Sequence, residues 1–419
     1  MTSRLALIVG GGLAAARAAE TLRKEGYDGR VVIVGDENAL PYERPPLSKE
    51  YLLGKKELAK VFAKPEAWYA ENAVELMLGR TATALDLAGR TVTLDRGDSL
   101  GFDKLLIATG AAPRRLELPG SDLDGVQYLR RIADSDAIKQ AIESGLRMVI
   151  VGAGWIGLEV AAAAAGHTDV TVVEPLATPL ERVLGPEMGE VFAAAHLQHG
   201  VDLRMATSVA GFRGSGGRVQ AVMTSAGTEI PAEFVVVGIG ALPNKALAEA
   251  AGLAVEPGPA GGVLVDDAMR TEDPDVFAVG DVATAYNPLL GKRIRVEHWA
   301  NAKNAAPFAA RAMLGQQVSY DRMPYFYTDQ YDIGMEYTGY VEPGGYDRVI
   351  TRGDVGTHRF VAFWLLDGRV QAAMHVNEWD AMKPLRAIVT ARAQIAAERL
   401  ADPDVSLEEL ATAASGSPG

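Results

Sequence analysis

The chain contains no cysteine. That excludes a disulfide framework, thiolate-ligated iron–sulfur clusters, a cysteine nucleophile and a redox-active dithiol. Histidine is scarce: the six are scattered and none shows the paired spacing of a metal site. No apolar run approaches the ~20 residues that a membrane-spanning helix needs, so no membrane association is expected. The opening residues MTSRLALIVGGG do not read as a secretory leader: the apolar stretch is short and runs into glycines, with no small-residue cleavage site after it. A cytoplasmic location is the expectation. Positive charge is in deficit, with a net charge of −13, which argues against nucleic-acid binding. Low-complexity tracts and solenoid repeats are lacking as well.

What is present is a chain of 419 residues, 48% of them apolar, long enough for two or three domains with real cores. RLALIVGGGLAAARAAETLRKEG followed by RVVIVGDE reads as buried strand, glycine turn, helix and second strand. The apolar runs are too continuous for a one-sided antiparallel sheet, so this is a βαβ unit. A second such unit spans 147–174, RMVIVGAGWIGLEVAAAAAGHTDVTVVE. The segments RTATALDLAGRTVTLD, DKLLIATG, VDLRMATSVAGFRG, RVQAVMTSAGTEI and AEFVVVGIG read as small antiparallel additions. HWANAKNAAPFAARAML reads as a helix broken or shifted by Pro307. From about Ser319 the texture becomes aromatic and strand-like. There HRFVAFWLLDGRVQAAMHV reads as a hairpin and AIVTARAQIAAERL as helix.

The expected fold class is α/β: two Rossmann-like three-layer dinucleotide-binding domains plus a C-terminal α+β domain. The expected division is 1–112 with 243–318, 113–242, and 319–413, leaving 414–419 as a disordered tail.

Gly10, Gly12 and Ala15 form a dinucleotide fingerprint between strand and helix, with Leu13 and Ala14 inside it. The first glycine makes the turn, the second admits the pyrophosphate, and the small third residue lets helix and strand pack closely. The helix N-terminus then faces the phosphates. Asp36 follows Ala15 at about the ~20-residue distance where an acid meets a ribose hydroxyl. Gly152, Gly154 and Gly157 complete the full pattern in the second unit, enclosing Trp155 and Ile156, and Glu174 ends its second strand. A carboxylate there accepts from a free 2′-hydroxyl and repels a 2′-phosphate, which favours NADH over NADPH. In PYERPPLSKEYLLGK, Pro45 and Pro46 block helix, and Ser48 offers an N-cap for a short one.

With KLLIATG (104–110) and TEDPDVFAVGD (271–281), the fingerprints resemble the ordered signatures of the two-dinucleotide FAD/NAD(P) flavoproteins over nearly the whole chain. The stretches YERPPLSK, WIGLEVAA and YTDQYDIGMEY are similar to the ferredoxin reductases of the putidaredoxin reductase and apoptosis-inducing factor type. Where another branch keeps its redox disulfide, this chain has PPLSKEYLLGK.

The resemblance implies FAD and NADH as cofactors. It implies hydride transfer from NADH to flavin, then single electrons to a ferredoxin-type iron–sulfur protein that serves a cytochrome P450 or dioxygenase. It assigns Asp36 to the FAD ribose, Lys49 to the side of the flavin ring and Ala82 to the adenine end. Ala108, Thr109, Gly110, Arg130 and Gly280 would also reach FAD. Asp281 would take a ribityl or pyrophosphate-side hydroxyl, and Trp299 would lie along the ring. Glu159 would pair with Lys49 near the nicotinamide, and Gly240 would border the NAD site. Putidaredoxin reductase carries a tryptophan near the flavin edge in the stretch corresponding to YFYTDQY; the matching position here is Tyr327, which the resemblance places at FAD.

Each residue also has a plainer use. Lys49 could be a solvated helix-start residue, Glu159 an exposed helix acid and Trp299 plain core. The aromatics Tyr325, Phe326 and Tyr331 read as strand packing, and His298 as structural. An acidic chain repels an acidic ferredoxin at long range, so docking would need a local basic patch. Lys292, Arg293, Arg295 and Arg311 are its candidates. Monomer and homodimer both stay open. So do an NADH oxidase or diaphorase, and a redox-sensing flavoprotein like apoptosis-inducing factor.

Overall fold

The structure, a computed structural model, describes residues 4–415. The chain divides into two units. Unit 1 comprises Met1–Pro45, Lys56–Ala112 and Ala241–Pro324, and unit 2 comprises Pro46–Lys55, Pro113–Gly240 and Tyr325–Gly419.

Unit 1 is built on a five-stranded sheet ordered Val276–Ala278, Lys104–Ile107, Leu5–Val9, Arg30–Gly35, Val74–Leu78, with every pairing parallel. Leu5–Val9 is buried along its whole length, as a strand covered on both faces must be. The helix Leu13–Lys24 follows it and packs against the helix Trp299–Met313. Ala14, Ala15, Ala18 and Ala19 of the first, with Ala305, Ala306, Ala309 and Ala310 of the second, join one core. Two small three-stranded sheets belong to the same unit.

Pro307 does not break its helix, which runs through it from Trp299 to Met313. A proline inside a helix removes one backbone hydrogen bond and costs about 3 kcal/mol. Pro307 lies on the half-buried side, while the alanines around it anchor the helix in the core.

Unit 2 repeats the doubly wound plan with the parallel order Asp202–Arg204, Val170–Val173, Met148–Val151, Phe234–Val237, Val126–Tyr128. A second sheet in this unit is antiparallel: Tyr325–Gln330, Ile333–Gly339, Arg369–Val376, Arg359–Leu366, Arg348–Asp354. The helix Met382–Thr390 packs on it. Trp364 on this sheet is fully buried and donates its indole N–H to the Leu184 carbonyl (2.9 Å).

Further sequence expectations need correction. KLLI, DLR and FVVV are strands of the two parallel sheets, not antiparallel additions. AIVTARAQIAAERL is not one helix: it stops at Thr390, Arg392 takes a left-handed φ of +46°, and helix resumes at Ala397–Ala401. Ser48 is not an N-cap but the last residue of the single turn Pro45–Ser48. Of the expected tail, Ala414 and Ser415 lie in the helix Leu407–Ser415, and 416–419 lie outside the described residues.

Candidate functional site

In unit 1 the three signature segments meet. Gly10 has φ +127°, and a Cβ there would sit 2.0 Å from the Ala108 carbonyl oxygen. Only glycine fits both that conformation and that approach. Gly280, at φ +80°, would place a Cβ 3.6 Å from that of Ala14. Gly12 is the N-cap of the first helix, with no side-chain cap, no acid in the first turn and open space where a Cβ would be. Leu13, Ala14 and Ala15 form the buried first turn. The result is a helix N-terminus with uncapped amides beside a carbonyl-lined glycine turn, which suits a pyrophosphate.

Asp36 stands exposed just past the strand Arg30–Gly35, and Ala82 opens the strand Ala82–Asp86. Thr109 is cross-linked to Asn244: its hydroxyl donates to the Asn244 carbonyl, and the Asn244 side chain donates back to the Thr109 carbonyl, each at 2.8 Å. Asn244 N–H also bonds the Gly110 carbonyl at 2.9 Å. Asp281 sits in a single turn, Gly280–Val282. His298 occupies the N-cap position of the helix that Trp299 begins. Burial pushes its imidazole down to about 4, with the Asp281 charge pulling the other way. Lys303 holds its ammonium 4.2 Å from the centre of the Trp299 ring.

Three residues of this region were missed by sequence reasoning. Glu37 accepts from the Tyr42 hydroxyl (2.7 Å) and from Arg44 (2.9 Å), while Arg44 also donates to Tyr42 (2.8 Å). Burial raises the Tyr42 phenol, keeping it a neutral donor. The triad stiffens the turn after the second strand and places the Arg44 charge within reach of Asp281.

In unit 2, Gly152 (φ +104°) could not carry a Cβ without meeting the Gly238 carbonyl oxygen at 2.5 Å. At Gly157 a Cβ would lie 2.1 Å from the Gly152 oxygen. Gly154 is an N-cap without a side-chain cap. Glu174 takes backbone N–H groups on both oxygens, Ala153 at 2.8 Å and Leu176 at 3.1 Å, so it braces the glycine loop it faces. Trp155 packs between Phe192 and Phe326, Ile156 is exposed, and Gly240 has φ +100°. The backbone N–H groups of Arg130 and Arg131 both bond Asp134, opening the helix Ile132–Glu143.

Also in unit 2, Lys49 Nζ lies 2.6 Å from Glu159 Oε1, with the side chains 7% and 5% exposed. The exposed-acid alternative for Glu159 is therefore wrong, as is the solvated-lysine one for Lys49. Glu159 also accepts from Ser48 Oγ on its other oxygen and from Thr328 Oγ1 at 2.7 Å. Lys49 stands 5.5 Å from the centre of the Tyr327 ring, a cation over an aromatic face. Thr328 was likewise not singled out from sequence, and Ser48 was read there only as an N-cap, not as a partner of Glu159.

Of the basic-patch candidates, Arg295 is paired with Glu297 and Arg311 with Glu25 (2.8 Å). Lys292 and Arg293 are exposed at the start of the strand Lys292–Arg295.

Residues 6–306 match the pyridine nucleotide–disulphide oxidoreductase family, and residues 325–411 match a reductase C-terminal domain. The chain belongs to the pyridine nucleotide–disulphide oxidoreductase family. It is 36% identical to putidaredoxin reductase of Pseudomonas putida, over 97% of both chains. It is 39% identical to the ferredoxin–NAD(+) reductase component of the biphenyl dioxygenase system of Paraburkholderia xenovorans, over 96% of this chain and 97% of that one. Among solved structures it resembles putidaredoxin reductase in its covalent complex with putidaredoxin. The TM-score is 0.94 at 35% identity, over 99% of each chain. The recognition made from the sequence motifs agrees with these relatives, one a putidaredoxin reductase and the other a ferredoxin–NAD(+) reductase component of a dioxygenase system.

Proposed function

We propose that this flavoprotein is an FAD-containing, NADH-dependent ferredoxin reductase. It passes electrons to a small iron–sulfur protein that serves an oxygenase such as a cytochrome P450. The observation that carries the proposal is the presence of two separate dinucleotide cradles, at Gly10–Ala15 and Gly152–Gly157, in a chain without cysteine. Such a chain can take up nicotinamide and flavin together, yet has no dithiol through which electrons could leave. A cytoplasmic location and a division into FAD, NAD and C-terminal domains belong to the same proposal.

When bound, FAD supplies the change from two-electron to one-electron chemistry, and the protein supplies position and charge. The uncapped amides at Gly12 receive one pyrophosphate and those at Gly154 the other. Asp36 and Glu174 accept from ribose hydroxyls, and Glu174 holds the glycine loop through Ala153 while doing so. Lys49 provides positive charge for the flavin, and the helix that begins at Trp299 adds its N-terminal dipole. Glu159 neutralises Lys49 in the resting protein and fixes where its ammonium points. Ala82, Arg130, Asp281 and Tyr327 complete the expected FAD contacts.

The test is steady-state turnover with NADH and cytochrome c, with and without an added ferredoxin. Fast reduction only in the presence of the ferredoxin is the expected result. Equal rates in both would overturn the proposal in favour of an oxidase or diaphorase. A reduced protein that turns over poorly with every acceptor and shifts its oligomeric state would favour a redox sensor.

A further inference from the structure

The Lys49–Glu159 pair is one end of a longer buried chain of hydrogen bonds within unit 2. Thr328 Oγ1 bonds Glu159 Oε1 at 2.7 Å, and Gln330 Nε2 bonds Thr328 Oγ1 at 3.1 Å. Gln330 Oε1 lies 3.0 Å from His196 Nε2, and Tyr331 O–H lies 3.0 Å from His196 Nδ1. Glu159, Thr328, Gln330 and His196 are all buried, Thr328 and His196 completely.

The direction of every bond follows from the first. A carboxylate only accepts, so Thr328 must spend its single proton on Glu159. Its oxygen then accepts from the Gln330 amide N–H. That turns the Gln330 carbonyl towards His196, which must carry its proton on Nε2. Nδ1 is left to accept from Tyr331. All the protons point towards Glu159, and no member can reverse without leaving a buried group unpaired.

Strand alternation sets Thr328 and Gln330 on the same side of Tyr325–Gln330, together with Phe326, which packs 4.9 Å from Trp155. His196 comes from the helix Pro186–Gln198.

We propose that Thr328, Gln330 and His196 are positioning residues for the electron-accepting site. They hold Glu159 in one orientation, and through it the Lys49 ammonium. The consequence for catalysis rests on the function proposed above. The consequence for Lys49 does not.

The test uses the FAD-loaded protein and two measurements. One is the rate at which an amine reagent modifies Lys49, followed by peptide mass spectrometry. The other is flavin reduction by NADH in rapid mixing, with the NADH dissociation constant obtained from the concentration dependence. Glu159→Gln sets the scale for a disturbed pair. Thr328→Val removes the donor at constant shape, Thr328→Ser restores it, and Gln330→Glu replaces the amide donor by a second acceptor that competes for the Thr328 proton.

Lys49 labelling should rise several-fold in Thr328→Val and Gln330→Glu. The limiting reduction rate should fall about ten-fold, the size of one hydrogen bond to a charged group, with the NADH dissociation constant held within about two-fold. Thr328→Ser should behave as the parent in both. Wild-type labelling in Thr328→Val and Gln330→Glu, with raised labelling in Glu159→Gln, overturns the proposal. So does an equal loss in Thr328→Ser, since a merely structural site would not be rescued by the hydroxyl. Unchanged reduction in Glu159→Gln itself would instead remove the pair from the reaction, and the labelling experiment would still decide the positioning chain.

Discussion

Lys49 and Glu159, 110 positions apart in the chain, form an ion pair with a 2.6 Å contact and almost no exposure to water. Two charges removed from solvent cost more than their attraction returns unless further donors satisfy the carboxylate. Here Ser48 and Thr328 do so.

Removing one partner should therefore hurt more than removing both. Glu159→Leu alone leaves a buried ammonium and is expected to destabilise the fold by about 3 kcal/mol or more. Adding Lys49→Met should recover most of that loss while flavin reduction by NADH stays slow. Denaturant midpoints of the two single variants and the double variant check this. Additive losses would refute it.

Stability should fall with acid before the carboxylates matter. His196 and His298 both have folded-state values near 4, below the usual 6.5, because burial disfavours the imidazolium. The unfolded chain then binds more protons between those values. The stability these histidines contribute is complete above about pH 6.5 and is lost as pH drops towards 4. At pH 5 the loss should be roughly 2 kcal/mol for each histidine. Unfolding free energies at pH 7 and pH 5, compared with His196→Gln, measure one share of it. An identical pH slope in the variant would refute the assignment to His196.

The two cradles should fail separately. Gly10→Ala forces a methyl to within 2.0 Å of the Ala108 oxygen, and Gly157→Ala to within 2.1 Å of the Gly152 oxygen. Backbone cannot step aside as a side chain can. Gly10→Ala should be isolated without FAD, whereas Gly157→Ala should keep FAD and lose NADH affinity at least about ten-fold. Flavin absorbance of the purified variants and NADH titration decide it. The reverse pattern would exchange the roles of the two sites.

Glu174 should show two losses on replacement by alanine. The preference for NADH over NADPH should drop about ten-fold or more. The Ala153 amide, which now donates to Glu174, should also exchange its hydrogen faster. Steady-state constants with both nucleotides and amide exchange by mass spectrometry report the two effects independently. A retained preference would remove Glu174 from nucleotide selection.

Much of the site was legible because glycine spacing reflects local geometry. A turn that needs φ > 0 and admits no Cβ, as at Gly10 and Gly152, leaves a mark within a few residues. KLLI and FVVV were misread because a short apolar run carries no sign of its partners, although the burial of Leu105, Leu106 and Ile107 beside Leu5–Val9, and of Phe234–Val237 beside Met148–Val151, follows from a parallel sheet. Pro307 was misjudged for the opposite reason: a local rule was overridden by packing with a helix far away in sequence. Thr328, Gln330 and His196 could not be found at all. Each is an ordinary strand or helix residue, and only the tertiary fold brings His196 to Gln330, 134 positions along.

The division of the chain has a practical consequence. Each unit is drawn from three stretches of sequence, and the short Pro46–Lys55 loop leaves unit 1 only to contribute Ser48 and Lys49 to unit 2. No single cut, natural or engineered, can release one unit whole. A fragment that ends at residue 112 would carry Ser48 and Lys49 without Glu159, and one that begins at 113 would carry Glu159 without them. Chimaeras between relatives must therefore exchange the Pro46–Lys55 loop together with the distant segments it serves.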